Sequence, residues 1–273
     1  MAAGPEQRTP EYFVERFLAE QNATLPRILI RAAECVLISD VELPRPLLDI
    51  GSGDGSFADV LFGEPVDVGI DNSRPQMLRS THLRAYRDLA QSLGDRLPFK
   101  DGVFGSTFSN STLEHTPDPG AIIKEMGRVL RPGGVAVITV PSEHFPEFLL
   151  GTTILRRLGL RGVADAYSRF MNRVSRHVHI EPPSTWQHWV EDAGMDVEEW
   201  RYYYSHRDTM IFDVSHYVSI PSLLTRAVLG RWVLWPGKAR YLPYRQVLSP
   251  FSSPGAADTG AYLFFRCRKR GSG

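Results

Sequence analysis

The stretch Pro46-Leu-Leu-Asp-Ile-Gly-Ser-Gly-Asp-Gly-Ser56 constrains the fold more than any other part of this chain. Leu47, Leu48 and Ile50 form a short apolar run of the kind that buried strands use. The run stops at Gly51, and Gly53 and Gly55 come after it at spacing two. Glycine lets the backbone turn tightly and lets another group approach without a Cβ in the way. Ser56-Phe-Ala-Asp-Val-Leu-Phe62 then reads as the first turns of a helix. Strand, glycine turn and helix in succession open a doubly wound sheet, which holds a nucleotide-like ligand at the strand's carboxyl end. An ordinary strand-to-helix turn is also glycine-rich, so residues further along the chain must decide between the two.

A second strand, Val66-Asp-Val-Gly-Ile70, ends at Asp71, twenty residues after Gly51. In doubly wound folds an acid at that distance accepts hydrogen bonds from ribose hydroxyls. Charge-assisted bonds to a diol are strong enough to fix the sugar. Asp71, Asn72 or Ser73 also suits a helix cap ahead of Gln76-Met-Leu, and the two roles are compatible. A third strand falls within Leu83–Leu93, around residues 88–92. Next come a loop with a turn at Asp101-Gly102, a strand over Gly105–Ser109 and the segment Asn110-Ser-Thr-Leu-Glu-His115. Asp118-Pro119 opens a helix with Ile122, Ile123, Met126 and Val129 on one face, ending at Leu130-Arg-Pro-Gly-Gly134. Val135–Val140 is a fifth strand, closed by Pro141. This alternation predicts a parallel sheet with helices on both faces.

Leu48-Asp-Ile-Gly-Ser-Gly-Asp-Gly55, Asp71, Leu97-Pro-Phe, Asp101-Gly-Val-Phe104, Leu113-Glu-His115 and Leu130-Arg-Pro-Gly-Gly134 occur in this order. The set resembles the class I S-adenosylmethionine-dependent methyltransferases, above all the type-11 subgroup that includes quinone-biosynthesis enzymes. The resemblance covers residues 46–141. It implies that Asp49, Gly51, Ser52, Gly53, Asp54 and Gly55 cradle the methionine part of S-adenosylmethionine. It implies that Asp71, with Asn72 beside it, holds the ribose, and that Asn110 and Ser111 face the cofactor and the methyl acceptor. The family's acid for the adenine amino group has no match here; Gln91-Ser92-Leu93 stands at that place, with Ser92 or Asp95 as the substitute. By family order the sheet is a seven-strand one, 3-2-1-4-5-7-6, with the last strand antiparallel.

A nicotinamide-dependent oxidoreductase is the rival enzyme. Its fingerprint needs glycine at position 56, where this chain has Ser56. Asp49 and Asp54 also suit an amino-acid tail and a sulfonium better than a diphosphate. A non-catalytic S-adenosylmethionine-binding regulator is the alternative from another class.

The remaining chain completes the expectation. Residues 1–43 form a helical cap, with helices opening at Thr9-Pro10 and running over Leu25–Ile38, as a layer on the sheet with some flap character. Residues 44–141 form the cofactor-binding core. Residues 142–273 form the acceptor-side half, with lid insertions over 142–183 and 206–258 and, between them, a capped helix over Pro183–Gly194. Met195–Tyr204 and Ala261–Arg268 supply the last strands.

Lys+Arg and Asp+Glu are both 31, so the formal net charge is +0 and no nucleic-acid partner is expected. The two cysteines, far apart, suggest neither a disulfide framework nor a metal cluster. No spanning helix or signal peptide is expected, which points to the cytoplasm, with peripheral membrane association at the surface as an added reading. A small-molecule or lipid-like acceptor is expected. Its proton acceptor, if one is used, is His115; a histidine in Leu-Glu-His-Thr also suits a loop hydrogen bond. His177 and His179 point to one side if extended, but with no third ligand no metal site is expected. Both insertions are basic and apolar. Arg156, Arg157, Arg161, Arg169, Arg173 and Arg176 lie in the first, and Arg226, Arg231, Lys238, Arg240 and Arg245 in the second. They suit a lid over a hydrophobic acceptor, or helices lying on an anionic bilayer.

Overall fold

The computed structural model describes residues 9–19, 24–219, 249–251 and 258–271. A seven-stranded sheet runs through it in the order β3-β2-β1-β4-β5-β7-β6. The strands are β1 Leu47–Ile50, β2 Val66–Asp71, β3 Tyr86–Gln91, β4 Phe104–Asn110, β5 Leu130–Pro141, β6 Met195–Tyr203 and β7 Tyr262–Lys269. β1 to β5 are parallel, and β7 is antiparallel to both β5 and β6. This is the order and polarity expected from the sequence.

The pleat explains why both faces must be covered. Successive side chains point to opposite sides of a strand. Val135 and Val137 of β5 and Tyr262 and Phe264 of β7 join one core cluster. Ala136, Ile138 and Val140, with Leu263, Phe265 and Cys267, join the other. On the first face lie α1 (Pro10–Ala19), α2 (Leu25–Ser39) and α3 (Ser56–Phe62). On the second lie α5 (Pro119–Val129) and α9 (Pro183–Asp192). Phe13, Val14, Phe17 and Leu18 are buried, as the spacing in α1 predicts. Each such side chain contributes about 1.5–3 kcal/mol by leaving water.

Three local expectations are corrected. β3 starts at Tyr86, two residues before the expected place, because Tyr86 pairs with Val66. Leu130-Arg-Pro-Gly-Gly134 is not the end of α5 but the start of β5. The helix stops at Val129, Leu130 is extended, and Leu130 pairs with Phe104. Pro132 disfavours a helical Arg131, and the register shift between Phe104 and Ser106 absorbs the two glycines. α9 carries no side-chain cap; Pro183 at its first position sets its start instead.

The insertion after β5 folds as α6 (Phe145–Phe148), α7 (Leu150–Arg157) and α8 (Arg161–Ser175). The next insertion opens with α10 (His206–Val218), whose start is fixed by a capping box between Ser205 and Asp208. Arg226, Arg231, Lys238, Arg240 and Arg245 lie outside the described residues.

Candidate functional site

The glycine turn sits between β1 and α3, at the carboxyl edge of the sheet. The amides of Gly51 and Ser52 both donate to the Ile70 carbonyl, at 2.9 and 2.8 Å. This locks the turn onto the end of β2. Gly51 has φ +83°, and a Cβ on it would lie 2.2 Å from Thr112 Oγ1. Gly55 has φ +79°, and a Cβ there would lie 2.8 Å from the Ser80 Cβ. Between them, a Cβ on Gly53 would find no neighbour nearer than 3.9 Å. The two outer glycines are required by the fold. The middle one leaves open space where a ligand can approach the backbone.

Asp71 closes the same turn. Its Oδ2 accepts from the Gly53 amide at 2.9 Å and its Oδ1 from the Ser73 amide at 2.7 Å. The second contact fixes Ser73, the residue just before α4 (Arg74–Leu83), a helix that has no side-chain cap of its own. An ionised carboxylate has about four lone-pair sites, so two amides leave capacity for a diol. A cavity of about 560 Å³ opens here. Gly51, Asp71, Asn72, Ser92 and Asp95 line it, together with Ser111, Thr112 and His115. Its size is that of small-molecule and cofactor sites.

The remaining expected residues occupy different surroundings. Asp54 forms a two-point ion pair with Arg27 of α2, at 3.0 and 3.2 Å, and accepts from the Ser56 hydroxyl at 2.7 Å. Burial pushes its pKa up, but Arg27 and Ser56 outweigh that and hold it at about 2. Asp54 thus ties the N-terminal layer to the glycine turn and is not among the cavity-lining residues. Asp49 is buried beneath the turn and accepts a bond from the Tyr86 hydroxyl. Burial raises its pKa to about 7 against that bond. The Ser52 hydroxyl is buried without a partner. Asn110 faces inward, donating to Glu34 at 2.8 Å and accepting from Thr139 at 2.6 Å. Ser111 stands at φ +46° and donates to the other Glu34 oxygen at 2.7 Å.

Glu34 was not singled out by the sequence. It is fully buried on α2 and also accepts from Arg31 at 2.8 Å and from the Tyr203 hydroxyl at 3.2 Å. The signal was there: Arg31 and Glu34 interrupt an otherwise apolar helix face at spacing three. Through Glu34 the N-terminal layer holds the Asn110–Ser111 loop, so α2 both packs on the sheet and shapes the cavity. His115 places Nδ1 3.0 Å from the Arg176 carbonyl. A carbonyl only accepts, so Nδ1 carries the hydrogen and Nε2 keeps its lone pair. Burial holds the His115 pKa below its ordinary value.

The residues at this turn fit S-adenosylmethionine. An open glycine, an orphaned Ser52 hydroxyl and a carboxylate with spare lone pairs lie together, and none needs a metal or a phosphate.

Comparison with known proteins gives the same family as the geometry. Residues 48–138 match the family model described as a methyltransferase domain. An uncharacterized methyltransferase of Mycobacterium sp. strain JLS is 35% identical over 128 residues, 46% of this chain and 50% of that protein. A ubiquinone biosynthesis O-methyltransferase of Pseudomonas paraeruginosa is 26% identical over 167 residues, 57% of this chain and 66% of that one. The chain spans about half the length of the first of these relatives. A SAM-dependent methyltransferase of Thermotoga maritima superposes with a TM-score of 0.57 at 15% identity, over 90% of this chain and 91% of that one, which shows a shared fold. With a glycine turn closed by Asp71 and a 3-2-1-4-5-7-6 sheet around it, residues 48–138 fit the methyltransferase domain family whose model they match.

Proposed function

We propose that the protein transfers the methyl group of S-adenosylmethionine to a small-molecule or lipid-like acceptor. The observation that carries this is the joined turn: Asp71 bonds to the Gly53 amide and lines the cavity beside it. In this reading the glycine turn and Asp49 hold the methionine end, Asp71 and Asn72 the ribose, and Ser92 or Asp95 the adenine amino group. The sulfonium is already activated, so the protein mainly aligns it with the acceptor atom. In the same reading Ser111, Thr112 and His115, which also line the cavity, face the acceptor. Calorimetric titration tests the reading: S-adenosylmethionine is expected to bind one to one. Tighter binding of NAD than of S-adenosylmethionine would overturn it in favour of an oxidoreductase.

The acceptor side also carries an unusual surface. Ile154, Leu158, Leu160, Val163, Phe170, Val174 and Val178 are all exposed. On α8, Val163, Phe170 and Val174 share one stripe, and Arg169 and Arg173 flank it. Arg157, Arg161, Arg169, Arg173 and Arg176 have no carboxylate partner among the described residues, whereas Arg156 pairs with Glu147 and Asp165. Exposed apolar residues ringed by unpaired arginines suit an anionic bilayer, which would present a lipid-like acceptor to the cavity. No helix among the described residues is long and apolar enough to cross a membrane, so the contact would be peripheral. In a flotation assay the protein is expected to rise with anionic vesicles, less so as salt increases, because screening acts within about 10 Å at 0.1 M. Protein that stays wholly in the soluble fraction at low salt would leave these helices as a lid alone.

A further inference from the structure

Three side chains from two distant parts of the sequence meet at the edge of the cavity. Glu114 and His115 come after β4 in a short 3₁₀ turn, Leu113–His115. His177 comes from the far end of the insertion. Helix α8 ends on Arg176 in the left-handed conformation, φ +58°, which reverses the chain. The amides of Val178 and His179 then donate to the Glu114 carbonyl, at 2.8 and 3.1 Å. These bonds bring His177 against His115, with the rings stacked at 5.5 Å.

The potential donor atoms of Glu114, His115 and His177 all lie within 4.8 Å of one another. Glu114 Oε1 and His115 Nε2 are 3.6 Å apart. A tetrahedral ion with nitrogen and oxygen ligands about 2.0–2.1 Å away holds them about 3.4 Å apart. One edge of the site is therefore already near that length, and the others need to close by little more than an ångström.

Hydrogen bonding points the same way. Glu114 is 1% exposed, yet its Oε2 has no partner. The His177 Nδ1 is buried and also unpartnered. Leaving a buried polar atom unpaired costs about 1–3 kcal/mol, and two such atoms in one cluster need a common explanation. His115 is oriented by the bond from its Nδ1 to a backbone carbonyl, the outer contact that metal-ligating histidines commonly make. A packing role accounts for the stacked rings but not for the two orphaned atoms.

We propose that Glu114, His115 and His177 bind a divalent first-row cation of the Zn²⁺ or Co²⁺ type. Two imidazoles and one carboxylate are a ligand set that leaves coordination positions open. His115 lines the cavity, so an open position can take an oxygen donor from that side. His115 then acts as a ligand rather than as a proton acceptor. His179, the expected companion of His177, is not part of the set; its ring lies near Glu181 and the Pro117 carbonyl. On the methyltransferase reading, the ion would select acceptors bearing a hydroxyl or carbonyl oxygen. The binding itself does not depend on that reading.

The test is titration of the whole chain, without S-adenosylmethionine or acceptor, with Zn²⁺ by calorimetry and with Co²⁺ by visible absorption. One ion per chain is expected. His115→Ala and His177→Ala are each expected to weaken binding at least tenfold while the far-ultraviolet circular dichroism stays unchanged. Glu114→Gln should do the same; if it fails to fold, the two histidine variants decide the matter. The exposed pair His188–Asp192, 3.3 Å apart, is the competing surface site. His188→Ala is therefore expected to leave the titration unchanged. Absence of binding, binding unaffected by His177→Ala, or binding lost in His188→Ala would each overturn the proposal. S-adenosylmethionine binding measured separately keeps this outcome distinct from the fate of the transferase reading.

Discussion

Gly51→Ala is expected to weaken S-adenosylmethionine binding by about a hundredfold or more and to lower stability by about 2–4 kcal/mol. Two costs add. The backbone at φ +83° lies in the left-handed region, where a side chain costs about 1–3 kcal/mol. The new Cβ would also fall 2.2 Å from Thr112 Oγ1 and 2.7 Å from the Thr112 Cβ, closer than atoms can approach. Thr112 cannot retreat freely, because Ser111 beside it is held by Glu34. Relief must come from the turn itself, which the proposed ligand contacts. Thermal melting and calorimetric titration measure the two effects. A Gly51→Ala/Thr112→Ala double variant is expected to recover the steric part of the stability loss but not the backbone strain. Unaltered affinity in the single variant would mean that this turn does not hold the ligand.

Asp71→Ala is expected to reduce S-adenosylmethionine affinity by at least about tenfold, since a hydrogen bond to a charged group contributes about 1.5–3 kcal/mol. The same substitution strips partners from the Gly53 and Ser73 amides, so a loss of affinity alone would not prove a ribose contact. Varying the protein and the ligand together separates the two effects. Wild-type protein should bind S-adenosylhomocysteine more tightly than its 2′,3′-dideoxy analogue. In Asp71→Ala that preference should shrink or vanish, whatever happens to the turn. A preference that survives undiminished would reduce Asp71 to a clamp on the Gly53 and Ser73 amides.

Much of the core was legible because it rests on local rules. An apolar run ending in glycines has few ways to fold, and an acid twenty residues on has few places to go. Strand β5 was harder. Pro-Gly-Gly reads locally as a helix stop, yet pairing of Leu130 with Phe104 made it an early strand. Asp54 shows the limit more sharply. Its position in the glycine turn suggested a charge for the ligand, but its charge is used by Arg27, a residue 27 positions earlier.

What the sequence by itself determined was the alternation of strands and helices that makes a parallel sheet, the glycine turn and the place of Asp71, because these derive from hydrophobic period, glycine geometry and short spacings. The strand order followed from the family resemblance. Only the tertiary structure decided which polar groups face the cavity. Glu34 reaches Asn110 and Ser111 across a sequence separation of 76 and 77 residues. His177 meets Glu114 and His115 because a left-handed cap turns the chain and two amides find one carbonyl. Such meetings depend on where helices dock, and docking is set by the packing of whole faces. No short window of sequence carries that information.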